Sequence, residues 1–399
     1  MGLRILWVVQ RFGPDVLGGA EAESRDVTRR LVARGHSVEV VTSCAVDYVT
    51  WANHYEAGTH EDDGVVVHRL PVEDERTAEF FVLDGRMRRG DGLHHDEQQR
   101  WLIAQGPVLE GMQEWISTRA RDFDVAVFMT YLYWPTVVGL PIASAMLPTV
   151  LVPTAHDEPA LHQPLYDTLF HHADRLYFNS QEEAELLERR LGCARPGDVI
   201  GTGIELRPEI DVAGLQSATG LGDEPYLVYV GRIDEHKGAL TILRWFTAHK
   251  ERRPGPLRLV LVGRSTVELP SHADVITTGF VSTAVRNAAM AGALALVQPS
   301  TNESFSLVLA EAWACGAPAV VSSRSPVLVG QARRSGGAIP VGGFAEFEAA
   351  VELLEAEPAT RDALADAGRR YVEATYAWDI VLDRVEACLQ AAIARRGAG

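Results

Sequence analysis

The sequence predicts an α/β protein built from two successive doubly wound, parallel-sheet domains. Three observations lead there. The chain has 399 residues, beyond the roughly 250–300 at which a single hydrophobic core stops growing. Short apolar runs alternate with helical patterns, which implies largely parallel strands covered on both faces. The alternation also runs twice, interrupted at 201–224 by a stretch rich in glycine, proline and acidic residues with little apolar periodicity, the best candidate for a linker.

The first half opens on a buried-strand run at 3–9. After Gly18-Gly19 a helical pattern over 20–33 passes through Arg34-Gly35-His36 into a second strand at 38–41, a β-α-β opening with a glycine-rich first turn. Further strands are expected at 65–69, 125–129, 149–152, 176–178 and 199–200, with helices at 100–119 and 181–191. The second half repeats the alternation, with strands at 226–230, 257–262, 275–277, 294–297 and 319–321 and helices at 238–251, 283–291 and 306–315. Two such units place a ligand cleft between domains, lined by the carboxyl ends of their strands. The expected boundaries are 1–203 for the first domain, completed by a C-terminal helix over 378–396, and 204–377 for the second.

Composition narrows the class. Apolar residues make up 47% and charged residues 23%, ordinary for a globular protein. With 37 basic against 54 acidic residues the net charge is −17, which argues against nucleic acid as a partner and leaves at most peripheral membrane contact. The short segment 85–90, with Arg86, Arg88 and Arg89, reads as a solvated loop rather than a lipid-binding patch. Four scattered cysteines without Cys-x-x-Cys spacing suit a reducing cytoplasm. A first strand starting at Leu3 leaves no room for a cleavable leader, and no apolar run reaches the ~18 residues of a membrane span.

The chemistry concentrates in the second half. Glu303 and Glu311 have seven residues between them, in a run that reads as a loop entering a helix. Ser304 or Ser306 is the candidate N-cap, and Cys315-Gly316-Ala317-Pro318 ends the helix. The free amides and dipole of that helix would receive an anion such as a diphosphate. With Ser306 as the cap, Glu311 lies roughly 7 Å further along the axis at about 1.5 Å per residue, so one carboxylate could hold each ring of a nucleotide sugar. Gly231-Arg232 closes the strand at 226–230 and Lys237-Gly238 opens the next helix, so both cations converge over one turn and can clamp a diphosphate without metal. Each contact at 4 Å is worth roughly 4 kcal/mol at an effective dielectric of 20, before desolvation.

The first half offers weaker patterns. Gly18-Gly19 precedes a helix but lacks the Gly-x-Gly-x-x-Gly fingerprint, which disfavours a nicotinamide-dependent dehydrogenase. Its two readings, turn formation and close approach of a phosphate or acceptor, are compatible. His156-Asp157-Glu158 follows the strand at 149–152 and so sits at a carboxyl sheet end, where a histidine can bond a sugar hydroxyl. Asp122-Phe123-Asp124 resembles a metal-binding Asp-x-Asp pair but leads straight into a strand, and reads as a strand entry.

Taken in order, Gly18-Gly19, His156, Gly231-Arg232 with Lys237-Gly238, and Glu303 to Glu311 resemble the family 4 retaining glycosyltransferases with the GT-B fold, over almost the whole chain. The resemblance implies two Rossmann-like domains facing each other across a cleft, and transfer of a hexosyl group with retention from a nucleotide-diphosphate sugar, UDP- or GDP-hexose, to a small-molecule, glycan or glycolipid acceptor. No cofactor or metal is implied. By the same resemblance Arg232 and Lys237 neutralise the donor diphosphate, Glu303 binds the transferred sugar, Glu311 the ribose, and His156 stands beside the reacting sugar. Gly18, Gly19, Gly231, Ser304 and the backbone around Phe305-Ser306-Leu307 contact sugar and phosphate, and Gly279-Phe280-Val281 lies against the base. Two departures stand out: Ser306 occupies a common glycine position, which restricts φ > 0 there, and Gly201-Thr202-Gly203 replaces a usual Asn-Gly pair. Rival readings are a nucleotide-sugar epimerase, a sugar phosphorylase and a non-catalytic nucleotide-sugar-binding protein.

Overall fold

The computed structural model describes residues 2–234 and 237–397. The chain divides into two compact units, Met1–Gly201 with Val381–Gly399, and Thr202–Ile380.

The first unit contains, in chain order, β1 (Arg4–Val9), α1 (Gly19–Ala33), β2 (Ser37–Ser43), β3 (Gly58–Asp62), β4 (Val65–Leu70), α2 (Ala78–Arg88), α3 (His95–Gln105), α4 (Met112–Arg119), β5 (Val125–Met129), α5 (Trp134–Ser144), β6 (Thr149–Val152), β7 (Arg175–Phe178), α6 (Gln181–Leu191) and β8 (Gly197–Val199). Its sheet has the order β3-β4-β2-β1-β5-β6-β7-β8. All pairings are parallel except β3 with β4. Val8 lies beside both Val41 of β2 and Phe128 of β5, and all three are fully buried. Burial of one such side chain contributes roughly 1.5–3 kcal/mol, which explains why the central strands read as unbroken apolar runs.

The second unit continues with α7 (Val212–Thr219), β9 (Tyr226–Val230), α8 (Ala239–Arg252), β10 (Arg258–Val262), β11 (Val275–Gly279), α9 (Thr283–Ala291), β12 (Ala295–Gln298), α10 (Leu307–Ala314), β13 (Ala319–Ser322), α11 (Pro326–Ser335), β14 (Ala338–Val341), α12 (Phe344–Ala356), α13 (Pro358–Thr375) and the start of α14 (Trp378–Gly397). Its six strands run in the order β11-β10-β9-β12-β13-β14, every pairing parallel. From Val381 onward α14 belongs to the first unit, where Arg34 of α1 pairs with Asp383 at 2.6 Å and Glu386 at 3.2 Å.

Strand order reverses between β1 and β5 in the first unit and between β9 and β12 in the second. At such switch points the connecting helices diverge to opposite faces and open a crevice at the carboxyl ends. The turns that leave β9 and β12 carry Gly231–Lys237 and Pro299–Ser306, so topology alone converges the two motifs of the second half.

Three expectations are corrected. The single helix over 100–119 is two helices, α3 and α4, because Gly106 ends α3 at φ 64 and Pro107 has no amide to continue it. Residues 201–224 are not irregular throughout: α7 forms there, with Asp211 accepting the Gly214 amide at 2.8 Å and Gly220 closing it in the left-handed region. Arg86 and Arg88 are on α2 rather than in a loop, Arg86 pairing with Glu97 at 2.6 Å and Arg88 with Asp84 at 2.6 Å.

Candidate functional site

The turn after β9 is shaped by one residue the motif reading passed over. Asp234 is buried. One carboxylate oxygen accepts the Lys237 amide at 2.7 Å, and the other accepts from the Arg232 guanidinium. The Arg232 carbonyl in turn accepts from the Tyr229 hydroxyl at 2.7 Å. Gly231 sits at φ 140, and a Cβ on Gly263, in the turn after β10, would lie 2.0 Å from the Gly231 carbonyl oxygen. The two backbones can meet because Gly263 has no Cβ, while Gly231 takes a φ that side chains disfavour.

Lys237 Nζ donates to Glu303 Oε1 at 2.8 Å, joining the two motifs across 66 residues. The lysine side chain is 39% exposed and the carboxylate 10%. A partly exposed bridge of this kind contributes on the order of 1 kcal/mol, less than a diphosphate offers a nearby lysine. Arg232 and Lys237 stand on one turn, each side chain held by a different carboxylate.

Gln298, the last residue of β12, is buried and holds the loop to α10. Its Nε2 donates to Glu303 Oε1 at 3.4 Å and to Ser306 Oγ at 3.2 Å. Ser306 is the residue before α10, but its hydroxyl makes no cap bond and its φ is 74. The left-handed conformation that glycine adopts freely is thus taken here by serine, and the bond to Gln298 offsets part of its cost. The first-turn amides of α10 are left without a side-chain cap and available to an anion. Phe305 is buried edge-on against Tyr376, centroids 4.9 Å apart, so only its backbone can face a ligand; Ser304 and Leu307 flank it half-buried. The helix ends as its sequence indicates, with Ala317 N bonding Ala312 O at 2.9 Å and Gly316 N bonding Trp313 O at 3.0 Å.

Glu311 has a partner that the motif did not reveal. Arg286 of α9 donates to it at 2.8 Å, both side chains about a quarter exposed. At the end of β11, Gly279 has φ 67, Phe280 is 72% exposed and Val281 is half-buried.

In the first unit His156 follows β6 after Thr154, a β-branched residue held at φ 52. Glu183, fully buried at the start of α6, anchors this bend. Its two oxygens accept the amides of Ala155 at 2.5 Å and Asn179 at 2.6 Å. Burial, with Glu23 nearby, pushes the Glu183 carboxyl up to about 8 against the pull of those amides. His156 Nε2 lies 3.4 Å from Glu158 Oε2, and the other Glu158 oxygen accepts from the Tyr131 hydroxyl at 2.7 Å. Burial opposes ionisation of Glu158, but the hydrogen bond and charge of His156, with the Tyr131 hydroxyl, hold the carboxyl below its usual range. Asp157 turns instead to His162, 2.6 Å away.

Gly18 and Gly19 are exposed. Gly18 is extended, and a Cβ there would lie 2.1 Å from Glu21 Oε2. Glu21 is buried on Gln10 at 2.8 Å and Arg11 at 2.5 Å. The glycine thus makes room for this ion pair at the head of α1. Asp124 bonds the Arg4 amide at 2.8 Å and guanidinium at 3.1 Å, and Asp122 pairs with Arg119 at 3.2 Å: the Asp-x-Asp run is a strand entry. Among the described residues no group of three His, Cys, Asp or Glu could hold a metal ion, and no helix is long and apolar enough to cross a membrane.

Comparison with known proteins agrees with this geometry. Residues 18–203 match the model of a glycosyl transferase 4-like domain, and residues 224–356 that of glycosyl transferases group 1. The chain is 30% identical over 418 aligned positions to the D-inositol 3-phosphate glycosyltransferase of Nocardiopsis dassonvillei, covering 93% of this chain and 90% of the relative. Among solved structures, the sucrose-phosphate synthase of Thermosynechococcus elongatus superposes with a TM-score of 0.72 at 20% identity, over 98% of this chain and 99% of that one. Anabaena HepE in complex with UDP-glucose superposes with a TM-score of 0.68 at 16% identity, over 98% of this chain and 100% of that one. The chain belongs to the family 4 glycosyltransferases of the GT-B fold, enzymes that draw on nucleotide sugars.

Proposed function

We propose that this glycosyltransferase moves a hexosyl group from a UDP- or GDP-sugar to a hydroxyl acceptor with retention of configuration and without a metal ion. The observation that carries the reading is the Lys237–Glu303 bridge, which sets a cation for the diphosphate directly against a carboxylate for the sugar. On donor binding Lys237 and Arg232 turn from Glu303 and Asp234 to the phosphates, whose inner oxygens lie over the uncapped amides of α10. Glu303, released, accepts from hydroxyls of the transferred sugar, while Glu311, positioned by Arg286, accepts from the ribose. The exposed Phe280 ring between Gly279 and Val281 supplies a face for the base.

Catalysis is then chiefly electrostatic stabilisation of the departing diphosphate, with orientation of the two substrates. Retention follows if the acceptor hydroxyl attacks the face from which the nucleotide leaves, the leaving phosphate taking its proton. His156, steadied by Glu158, bonds the sugar at that point. We assign residues 204–377 to the donor side, and 1–203 with the C-terminal helix to the acceptor side. Cell-surface polysaccharide, glycolipid or natural-product glycosylation fits this chemistry, as does a cytoplasmic location.

A thermal-shift screen of UDP-, GDP-, ADP- and TDP-sugars tests the donor site, since a ligand stabilises by RT ln(1 + [L]/Kd). A rise in Tm with one base class is expected, and silence from all four overturns the reading. NMR of the product's anomeric centre then tests retention, and turnover unchanged by a chelator tests independence from metal.

A further inference from the structure

The second unit holds a cavity of about 460 Å³ that none of Arg232, Lys237, Glu303 or Glu311 lines. It lies between the first turns of α8 and the carboxyl ends of β12, β13 and β14. Val297, Val320 and Val341, one from each strand, line it, and Trp245 of α8 forms a wall, its ring braced on Phe347 with centroids 5.6 Å apart. Thr241, Thr301 and Ser322 add hydroxyls.

The charge of this lining is unlike that of the chain. Acids outnumber bases 54 to 37 overall, yet the described residues that line the cavity include Arg244 and Arg324 and no carboxylate. Several other cations of this unit are paired: Arg232 with Asp234, Lys237 with Glu303, Arg286 with Glu311, Arg258 with Asp274. Arg244 donates to the Thr241 hydroxyl at 3.3 Å and, among the described residues, has no carboxylate partner. Among the described residues the Arg324 guanidinium makes no hydrogen bond or ion pair. Two uncompensated forks at an acid-free cavity suit a phosphate, and the volume falls in the range of small-molecule pockets and exceeds what a bare ion fills.

We propose that this cavity is a second binding site, separate from that of the donor, for a phosphate monoester carried on a sugar-sized ring. Arg244 and Arg324 hold the phosphate, and the ring lies against Trp245. The cavity touches the donor machinery at two points. Gly238 follows Lys237 directly, and a Cβ there would lie 2.9 Å from the Pro299 carbonyl oxygen; Gln298, also in the lining, holds Glu303 and Ser306. Occupancy therefore stiffens the loop that presents Glu303. Binding at the cavity is independent of the donor-site reading, and only this effect on turnover rests on it.

Calorimetric titration of the full chain with glucose 6-phosphate, inorganic phosphate and glucose tests the site, with UDP titrated in parallel. Glucose 6-phosphate should bind more tightly than inorganic phosphate, and glucose not at all. The Arg244→Ala/Arg324→Ala double variant should lose about tenfold or more in affinity for the ester, as expected for loss of charged hydrogen bonds, while its affinity for UDP stays unchanged. Because both arginines are exposed, the variant keeps its fold, which an unchanged thermal midpoint verifies. Equal affinity of variant and parent for the ester, one-for-one displacement of the ester by UDP, or no binding of the ester at millimolar concentration each overturns the proposal. Failure of both UDP and GDP, titrated alike, to bind either protein would instead strike the donor reading and leave the cavity's result intact.

Discussion

The candidate groups of the two units are charged in different ways. In the second unit the charges form bridges that each include a partly exposed side chain, Lys237 at 39% with Glu303 at 10%, and Arg286 at 29% with Glu311 at 26%. In the first, His156 rests on a buried framework of Glu158, Tyr131 and Glu183. A bridge with a partly exposed cation costs less to break, because water can replace the carboxylate at that cation. A buried carboxylate tied to backbone amides does not exchange, since each lost bond leaves an unsatisfied group in a low-dielectric interior. On the proposed reading, one unit trades partners with an anion and the other holds a histidine still.

The sharpest way to break this contrast is to remove an exchangeable charge. Lys237→Ala or Glu303→Ala should lower turnover by at least ~10²–10³, the loss seen when one preorganised group at a developing charge is deleted, while circular dichroism and the thermal midpoint stay near those of the parent. Near-parental release of nucleoside diphosphate in either variant would remove these residues from the site.

The buried framework should reveal itself through pH. Glu183 titrates near 8 in the folded chain and near 4.5 once exposed, so the folded state keeps a proton that the unfolded chain releases. The contribution of Glu183 to stability is then greatest below about pH 4.5 and declines as pH rises to about 8, at on the order of 1 kcal/mol per pH unit. Urea midpoints at intervals between pH 5 and 8 should show that slope, and Glu183→Gln should flatten it. An identical slope in the variant would mean the proton sits elsewhere.

Within the second unit the two carboxylates should separate. Glu303→Ala should act mainly on kcat and Glu311→Ala mainly on KM, by roughly tenfold if one charged hydrogen bond to the ribose is lost. Matching kinetics in the two variants would dissolve the division of labour.

The smallest effect concerns Ser306. Ser306→Ala keeps the left-handed strain and loses the bond to Gln298, so it should destabilise by about 1 kcal/mol, whereas Ser306→Gly loses the bond but relieves the strain and should stay close to the parent. Differential scanning calorimetry should therefore place the glycine variant a few degrees above the alanine variant; the reverse order would mean that φ 74 carries no cost.

Much of the second unit was legible because its elements and motifs are local. β9 and β12 are unbroken apolar runs, the glycine-proline end of α10 is written in four consecutive residues, and Gly231-Arg232, Lys237-Gly238 and Glu303 to Glu311 each occupy a short window. The partners were not legible. Arg286 lies 25 residues from Glu311, and Glu183 lies 28 from Ala155, with no spacing rule to connect them. Asp234 was within reach, since an aspartate three residues before a helix-opening lysine is a turn former. α5 escaped notice because Pro141 stands inside it, and Gly106-Pro107 divided a stretch whose apolar spacing reads as one helix.

By itself the sequence determined the alternation of strands and helices, the division into two doubly wound units, and the residue types proposed to meet a diphosphate. These follow from hydrophobic periodicity and from the chemistry of a few neighbouring side chains. Only the tertiary structure decided which charges neutralise one another, that Ser306 takes a conformation usually left to glycine, and that Arg244 and Arg324 have no carboxylate partner among the described residues. Such outcomes depend on the packing of strands far apart in the chain, where strand order brings together groups that no local pattern relates.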